Sequence, residues 1–149
     1  MNKGFKIMLA VGLAGVSLAT TTVVVNTNSS NITVVQASKR SKIKKAVSMM
    51  QDHFGDTADV YYDKENDVIA IKPIGQDFED EVIAVLDGDE SDSDWNDMTS
   101  AFDDLSESLH DDLHVKTPIA IVNPENTDKV LYMAYNGNSL YDVMHDDNN

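Results

Sequence analysis

The absence of acidic side chains from the first 37 residues constrains the fold most, because it separates a leader from the part of the chain that folds. Lys3 and Lys6 give the leader a basic start, and an apolar run follows over residues 7–19. Val35-Gln36-Ala37 then supplies the small residues that a signal peptidase accepts before its cut. The pattern predicts a signal peptide over residues 1–37 and export of the remaining 112 residues.

Two alternatives concern the same segment. Cleavage could instead follow Ala19, with Ser17 at the third position before the cut. The segment could also stay uncleaved as an anchor, since Thr20 to Val25 lengthen the run to 19 residues. Three threonines and two glycines weaken that run against the roughly 20 apolar residues that a membrane span needs. We therefore expect a secreted, extracellular protein, loosely associated with the cell wall at most.

The mature chain has the size of one domain. Residues 38–149 can bury about 65% of their unfolded surface in a single core. The chain contains no cysteine, so this core must form without disulfides, and no lipid can be attached through a thiol. The polar C-terminal residues 145–149 offer no membrane anchor, and we expect no membrane association after cleavage.

The charge of the mature chain is strongly negative. All 26 acidic residues follow residue 51, and residues 46–149 carry a net charge of −22. Such a surface repels phosphate backbones, which argues against nucleic-acid binding, and it attracts cations or basic partners. Five basic residues within Lys39–Lys45 could dock on anionic wall polymers or lipid headgroups, or could simply begin a helix and pair with the acidic body.

Hydrophobic periodicity predicts an α+β domain. Ile43, Val47, Met50 and Phe54 share one helix face, and a second apolar stripe runs from Trp95 to Leu113. The predicted helices cover 40–54, 78–87 and 95–113, with Asp92 or Ser93 as the last helix's N-cap, and the predicted strands cover 58–63, 67–73, 118–122, 130–135 and 139–143. This loose double helix–strand–strand order predicts helices packed on one antiparallel sheet of four to five strands.

Several short motifs carry a resemblance. The leader's basic start and Val35-Gln36-Ala37, Trp95 with Leu105-Ser106, the Asn123-Pro124 turn and the Asn136-Gly137 hairpin resemble uncharacterised small secreted proteins of Gram-positive bacteria. The resemblance covers most of the mature chain and implies export and an α+β fold. It implies no known activity.

The acidic loop 87–97 is a candidate calcium site. Asp87, Asp89, Asp92 and Asp94 are spaced closely enough to supply several of the six to eight oxygens that calcium takes. Neither register of an EF-hand loop places a glycine at the sixth position, so any site here would be irregular. A solvated loop with a capping aspartate is the alternative.

His110 and His114 are a candidate zinc pair. Two histidines at positions i and i+4 of a helix can bind one zinc ion together, but the sequence offers no clear third ligand. Asp103, Ser106 and His110 also fall on one helix flank, although no oxyanion-hole motif accompanies them. A metal-dependent hydrolase using His110 and His114 is therefore the enzymatic alternative.

The sequence predicts a binding protein rather than an enzyme, because it contains no recognisable catalytic motif. We expect a non-catalytic, monomeric domain that needs no cofactor and binds an extracellular or cell-wall ligand or protein. The aromatic residues that could line the binding face of this domain are Tyr61, Trp95, Tyr132, Tyr135 and Tyr141, although some of them must lie in the core. A calcium-stabilised module that uses the acidic loop 87–97 is the second alternative.

Overall fold

The computed structural model describes residues 31–89 and 91–146, with side chains from residue 38 onward. The predicted signal peptide lies outside the described residues up to position 30, and its last seven residues are described only as helical backbone. The elements in chain order are α1 (Asn31–Phe54), β1 (Ala58–Asp63), β2 (Val68–Pro73), α2 (Gln76–Asp87), α3 (Asp92–Leu113), β3 (Ile119–Val122), β4 (Val130–Tyr135) and β5 (Asn138–Asp142).

The five strands form one mixed sheet whose spatial order follows the chain, β1-β2-β3-β4-β5. Three neighbouring pairs are antiparallel, as predicted, and β2–β3 is parallel. The prediction of a wholly antiparallel sheet was therefore wrong at its centre. The reason is the connection, because α2 and α3 return the chain to the end of the sheet at which β2 began.

A single core holds the helices and the sheet together. Buried side chains from α1, α2 and α3 form one cluster with strand residues that alternate along each strand, except for the consecutive pair Leu131 and Tyr132 on β4. Since alternate strand residues point to the same face, the three helices pack on one face of the sheet. The strand residues in this cluster are Ala58, Val60, Ile69, Ile71, Ile119, Ile121, Leu131, Tyr132 and Ala134.

The observed helix boundaries differ from the predicted ones at the starts of α1 and α3. α1 begins nine residues before the predicted Arg40, because no glycine or proline interrupts residues 31–39. The N-cap of α3 is Ser91 rather than Asp92 or Ser93, and its hydroxyl donates to the Asp94 carboxylate at 2.8 Å. α2 ends as predicted before Gly88, which adopts a left-handed conformation at φ 76°. Across the described residues, no helix is both long enough and apolar enough to cross a membrane.

Candidate binding face

A row of five residues crosses the whole sheet on the face opposite the helices. Tyr61 pairs with Ala70, Ala70 with Ala120, Ala120 with Met133, and Met133 with Tyr141. Directly paired residues project from the same face of a sheet. Each strand therefore contributes one side chain to a continuous line, which we call the apolar row.

The members of the apolar row differ in exposure. Ala70 and Ala120, at the centre, are only 2% and 1% exposed, whereas Tyr61, Met133 and Tyr141 are partly exposed. The surface that a ligand can touch therefore lies at the two ends of the row. The face also carries charge, because Asp59, Asp63 and Lys72 project from the same side of β1 and β2 as Tyr61.

The structure sorts the predicted aromatic candidates into two groups. Trp95 and Tyr132 belong to the core, with rings meeting edge to face at a centroid distance of 6.3 Å. Tyr61 and Tyr141 lie on the open face. Tyr135 contacts the His110 ring edge to face at 5.6 Å. Only Tyr61 and Tyr141 can therefore contribute to the apolar row.

An open cavity of about 740 Å³ adjoins the β4–β5 end of the apolar row, within the volume range of ligand pockets. Its floor is apolar, and its polar rim comes from the loop between β3 and β4. The lining residues are Leu86, Asn123, Glu125, Asp128, Lys129, Val130, Leu131, Met133, Tyr141 and Val143.

A β-bulge shapes this cavity. Ile121 pairs with Tyr132, but the next residue, Val122, pairs with Val130, so Leu131 is an extra residue on β4. A bulge twists the strand locally and changes where its side chains point. Leu131 consequently belongs to both the core and the cavity wall.

The loop between β3 and β4 is held by its own side chains. Asn123 Oδ1 accepts hydrogen bonds from the backbone N–H groups of Glu125 at 2.8 Å and Asn126 at 3.2 Å. The Asn123 N–H also donates to the Lys129 carbonyl at 2.9 Å. This asparagine turn closes the loop and positions Glu125 and Asp128 on the cavity rim.

Negative charge surrounds both ends of the apolar row. Burial raises the pKa of the Tyr61 hydroxyl, and the carboxylates of Asp63, Asp59 and Asp128 raise it further. Asp128 thus lines the cavity at one end while its charge acts on Tyr61 at the other. The arrangement suits a ligand that carries apolar groups and positive charge.

The structure separates the predicted calcium ligands between two helices. Asp87 ends α2, Asp92 and Asp94 lie in the first turn of α3, and Asp89 lies in the connection. All four side chains are exposed. Within residues 31–89 and 91–146, no group of three or more His, Asp or Glu side chains forms an arrangement that could hold a metal ion.

The two candidate zinc ligands do not share a helix face. His114 is the C-cap of α3 in a left-handed conformation at φ 53°, which ends the helical spacing. His110 Nδ1 contacts the Asp111 carboxylate at 3.0 Å, and its ring packs against Tyr135.

The candidate nucleophile Ser106 has a structural role. Its buried hydroxyl donates to the Asp103 carbonyl at 2.8 Å and accepts the Gly137 N–H at 3.0 Å. The Asp103 carboxylate accepts a hydrogen bond from the Tyr132 hydroxyl at 2.6 Å. These contacts attach α3 to β4 and to the β4–β5 turn, and Ser106, Asp103 and His110 do not form a catalytic triad.

The basic segment Lys39–Lys45 lies on α1. Lys39 Nζ donates to both carboxylate oxygens of Asp67, at 2.8 and 3.0 Å, and Tyr62 Oη donates to the same carboxylate at 2.7 Å. The Lys39 pair holds the pKa of Asp67 below its usual value, assisted by Tyr62. Lys39 is therefore paired with an acidic residue of the domain, which agrees with the interpretation that the basic segment begins a helix and pairs with the domain.

Sequence reasoning placed the loop between β3 and β4 but missed the cavity beside it. The only available signals were the Asn123-Pro124 turn and the polar letters that follow it. The cavity lies beside a one-residue shift in the pairing of β3 with β4, which no local sequence pattern predicts. Comparison with protein-family models, curated proteins and solved structures found no match.

Proposed function

We propose that this protein is an exported, non-catalytic binding domain whose ligand contacts the apolar row and the adjoining cavity. The observation that carries the proposal is the in-register line from Tyr61 to Tyr141 on the sheet face opposite the helices. One end of the row combines the partly exposed side chains of Met133 and Tyr141 with a cavity, and concave, partly apolar surface of this kind is where ligands bind. The resemblance to small secreted proteins of Gram-positive bacteria supports export.

Binding is tested by selecting a random nine-residue peptide library against the chain purified from a secreting Gram-positive host. We expect peptides to be enriched and to lose binding when Tyr61, Met133 or Tyr141 is changed to Ser. Leu140→Ser is the matched control, because Leu140 is exposed on β5 but lies outside both the apolar row and the cavity. An absence of enriched peptides, or peptides indifferent to the three substitutions, would refute the proposal.

Export is tested separately by expressing the full chain in such a host. We expect the protein in the medium with Ser38 as its first residue, as measured by intact mass. A first residue of Thr20 would support cleavage after Ala19. Retention of the full-length chain in the membrane fraction would contradict export.

A further inference from the structure

The cavity floor is suited to an apolar group. Val130, Leu131, Met133 and Val143 carry no charge, and Leu86 of α2 extends this surface. Ligand pockets in proteins are generally apolar, with a few polar groups that fix orientation. The group that enters this cavity is therefore an aliphatic or aromatic side chain or its equivalent.

The rim selects for positive charge. Glu125 and Asp128 are exposed, and neither carboxylate has an ion-pair partner within 4.0 Å among the described residues. Lys129 is the one basic side chain that lines the cavity. The net charge of −22 on residues 46–149 reinforces this local excess and opposes the approach of anionic polymers.

The two exposed ends of the apolar row lie far apart, and the alanines between them, Ala70 and Ala120, are only 2% and 1% exposed. The apolar row crosses four gaps between strands of about 4.8 Å each, so Tyr61 and Tyr141 are about 19 Å apart along it. An extended polypeptide advances about 3.3 Å per residue, and roughly six residues would cover this distance.

We infer that the ligand is an extended polypeptide segment in which Lys or Arg residues flank an apolar side chain. The apolar side chain occupies the cavity, the basic side chains lie beside Glu125 and Asp128, and the segment runs along the apolar row toward Tyr61. This inference rests on the proposed function and adds the chemical class of the partner.

Three labelled nine-residue peptides test the class by fluorescence anisotropy. The first alternates Lys and Leu, the second replaces each Lys with Glu, and the third replaces each Leu with Ser. We expect the Lys–Leu peptide to bind at least tenfold more tightly than the other two, and its binding to weaken with added salt. Preference for the Glu–Leu peptide, or equal binding of all three peptides, would overturn the inference.

Paired substitutions assign the charge effect to the rim. Glu125→Gln with Asp128→Asn should weaken binding of the Lys–Leu peptide roughly three- to tenfold, the scale of losing two exposed ion pairs. Asp104→Asn with Asp112→Asn removes the same charge from exposed positions on α3 and should change affinity less than twofold. Equal losses from both pairs would show that only net charge matters and would overturn the inference.

Two further results separate this inference from the proposed function. Tyr141→Ser should weaken binding of the Lys–Leu peptide, whereas Tyr141→Phe should bind it about as tightly as the unchanged protein does. Thermal melts should show that both variants are folded. If other peptides bind and need Tyr141 but basic ones do not bind, the ligand class is wrong and the binding face stands. If sedimentation shows a dimer that Tyr141→Ser dissociates and the Lys–Leu peptide does not, the occupant is a second copy.

Discussion

The indole Nε1 of Trp95 donates a hydrogen bond of 2.9 Å to Asp142 Oδ1, joining the first turn of α3 to the end of β5 across 47 residues. Trp95 is fully buried, and the carboxylate also accepts the Met144 N–H at 2.9 Å. This contact fixes β5, which carries Tyr141, against the helical layer. The stability of the binding face is thereby coupled to the core.

Replacing Asp142 with Ala should destabilise the fold markedly, because the buried Trp95 N–H loses its acceptor. An unsatisfied buried donor costs about 2 kcal/mol, which for a domain of this size lowers Tm by about 10 °C. Asp142→Asn keeps an acceptor oxygen and should cost much less. Urea unfolding of both variants measures the difference, and equal losses would show that the indole bond is not the source.

The pair His145–Asp142 should make stability depend on pH near neutrality. The Asp142 hydrogen bond and charge raise the pKa of His145 above its usual 6.5, and Asp92 and Asp146 add to the effect. A raised folded pKa means that the contribution is complete below about pH 6.5 and disappears as pH rises through the folded value.

The free energy of unfolding should therefore fall as pH rises from about 6 to 8, and His145→Gln should flatten that slope. The pKa of His145 can be read directly from its imidazole NMR shifts. A folded pKa at or below 6.5 would contradict this prediction.

Tyr132 and Asp103 form a second contact between α3 and the sheet. Burial raises the pKa of the Asp103 carboxyl, while the Tyr132 hydroxyl bond opposes that rise. Tyr132→Phe removes the donor, so the Asp103 pKa should rise further and stability at pH 7 should fall by about 1 kcal/mol. Carboxylate NMR titration and chemical unfolding check the two effects. An unchanged Asp103 pKa would show that the hydrogen bond is not formed in solution.

The acidic connection between α2 and α3 should not respond strongly to calcium. Its four aspartates are exposed and distributed over two helix ends, so we expect millimolar calcium to change Tm by less than about 2 °C relative to EDTA. A site occupied at a hundredfold excess over its Kd would add about 2.7 kcal/mol, a shift near 10 °C. A shift of that size, lost in Asp89→Ala and Asp92→Ala, would establish the calcium-stabilised alternative.

Much of the local structure was accessible from the sequence. The spacing of Ile43, Met50 and Phe54 predicted the buried face of α1. Asn136-Gly137 predicted the last hairpin, and both residues adopt the positive φ that such a turn needs. These features depend on neighbours within a few positions, which a local pattern records.

The binding face was only partly accessible. The sequence predicted that the aromatic residues would divide between the core and a binding face, but it could not identify Tyr141 as a member of the same row as Tyr61. That relation passes through four strand pairings, including the parallel pair Ala70–Ala120. The structural role of Ser106 was inaccessible for the same reason, since its hydrogen-bond partner Gly137 is 31 residues away in sequence.

The sequence by itself determined the types of elements, their buried sides, the need for a cysteine-free core and the negative charge of residues 46–149. The tertiary structure alone decided that β2 and β3 run parallel, that a bulge at Ile121/Val122 makes Leu131 an extra residue on β4, and that Asp128 lies within electrostatic range of Tyr61. Periodicity encodes which side of an element is apolar. The choice of neighbouring strands and their register depends instead on contacts distant in sequence, which the packed core selects.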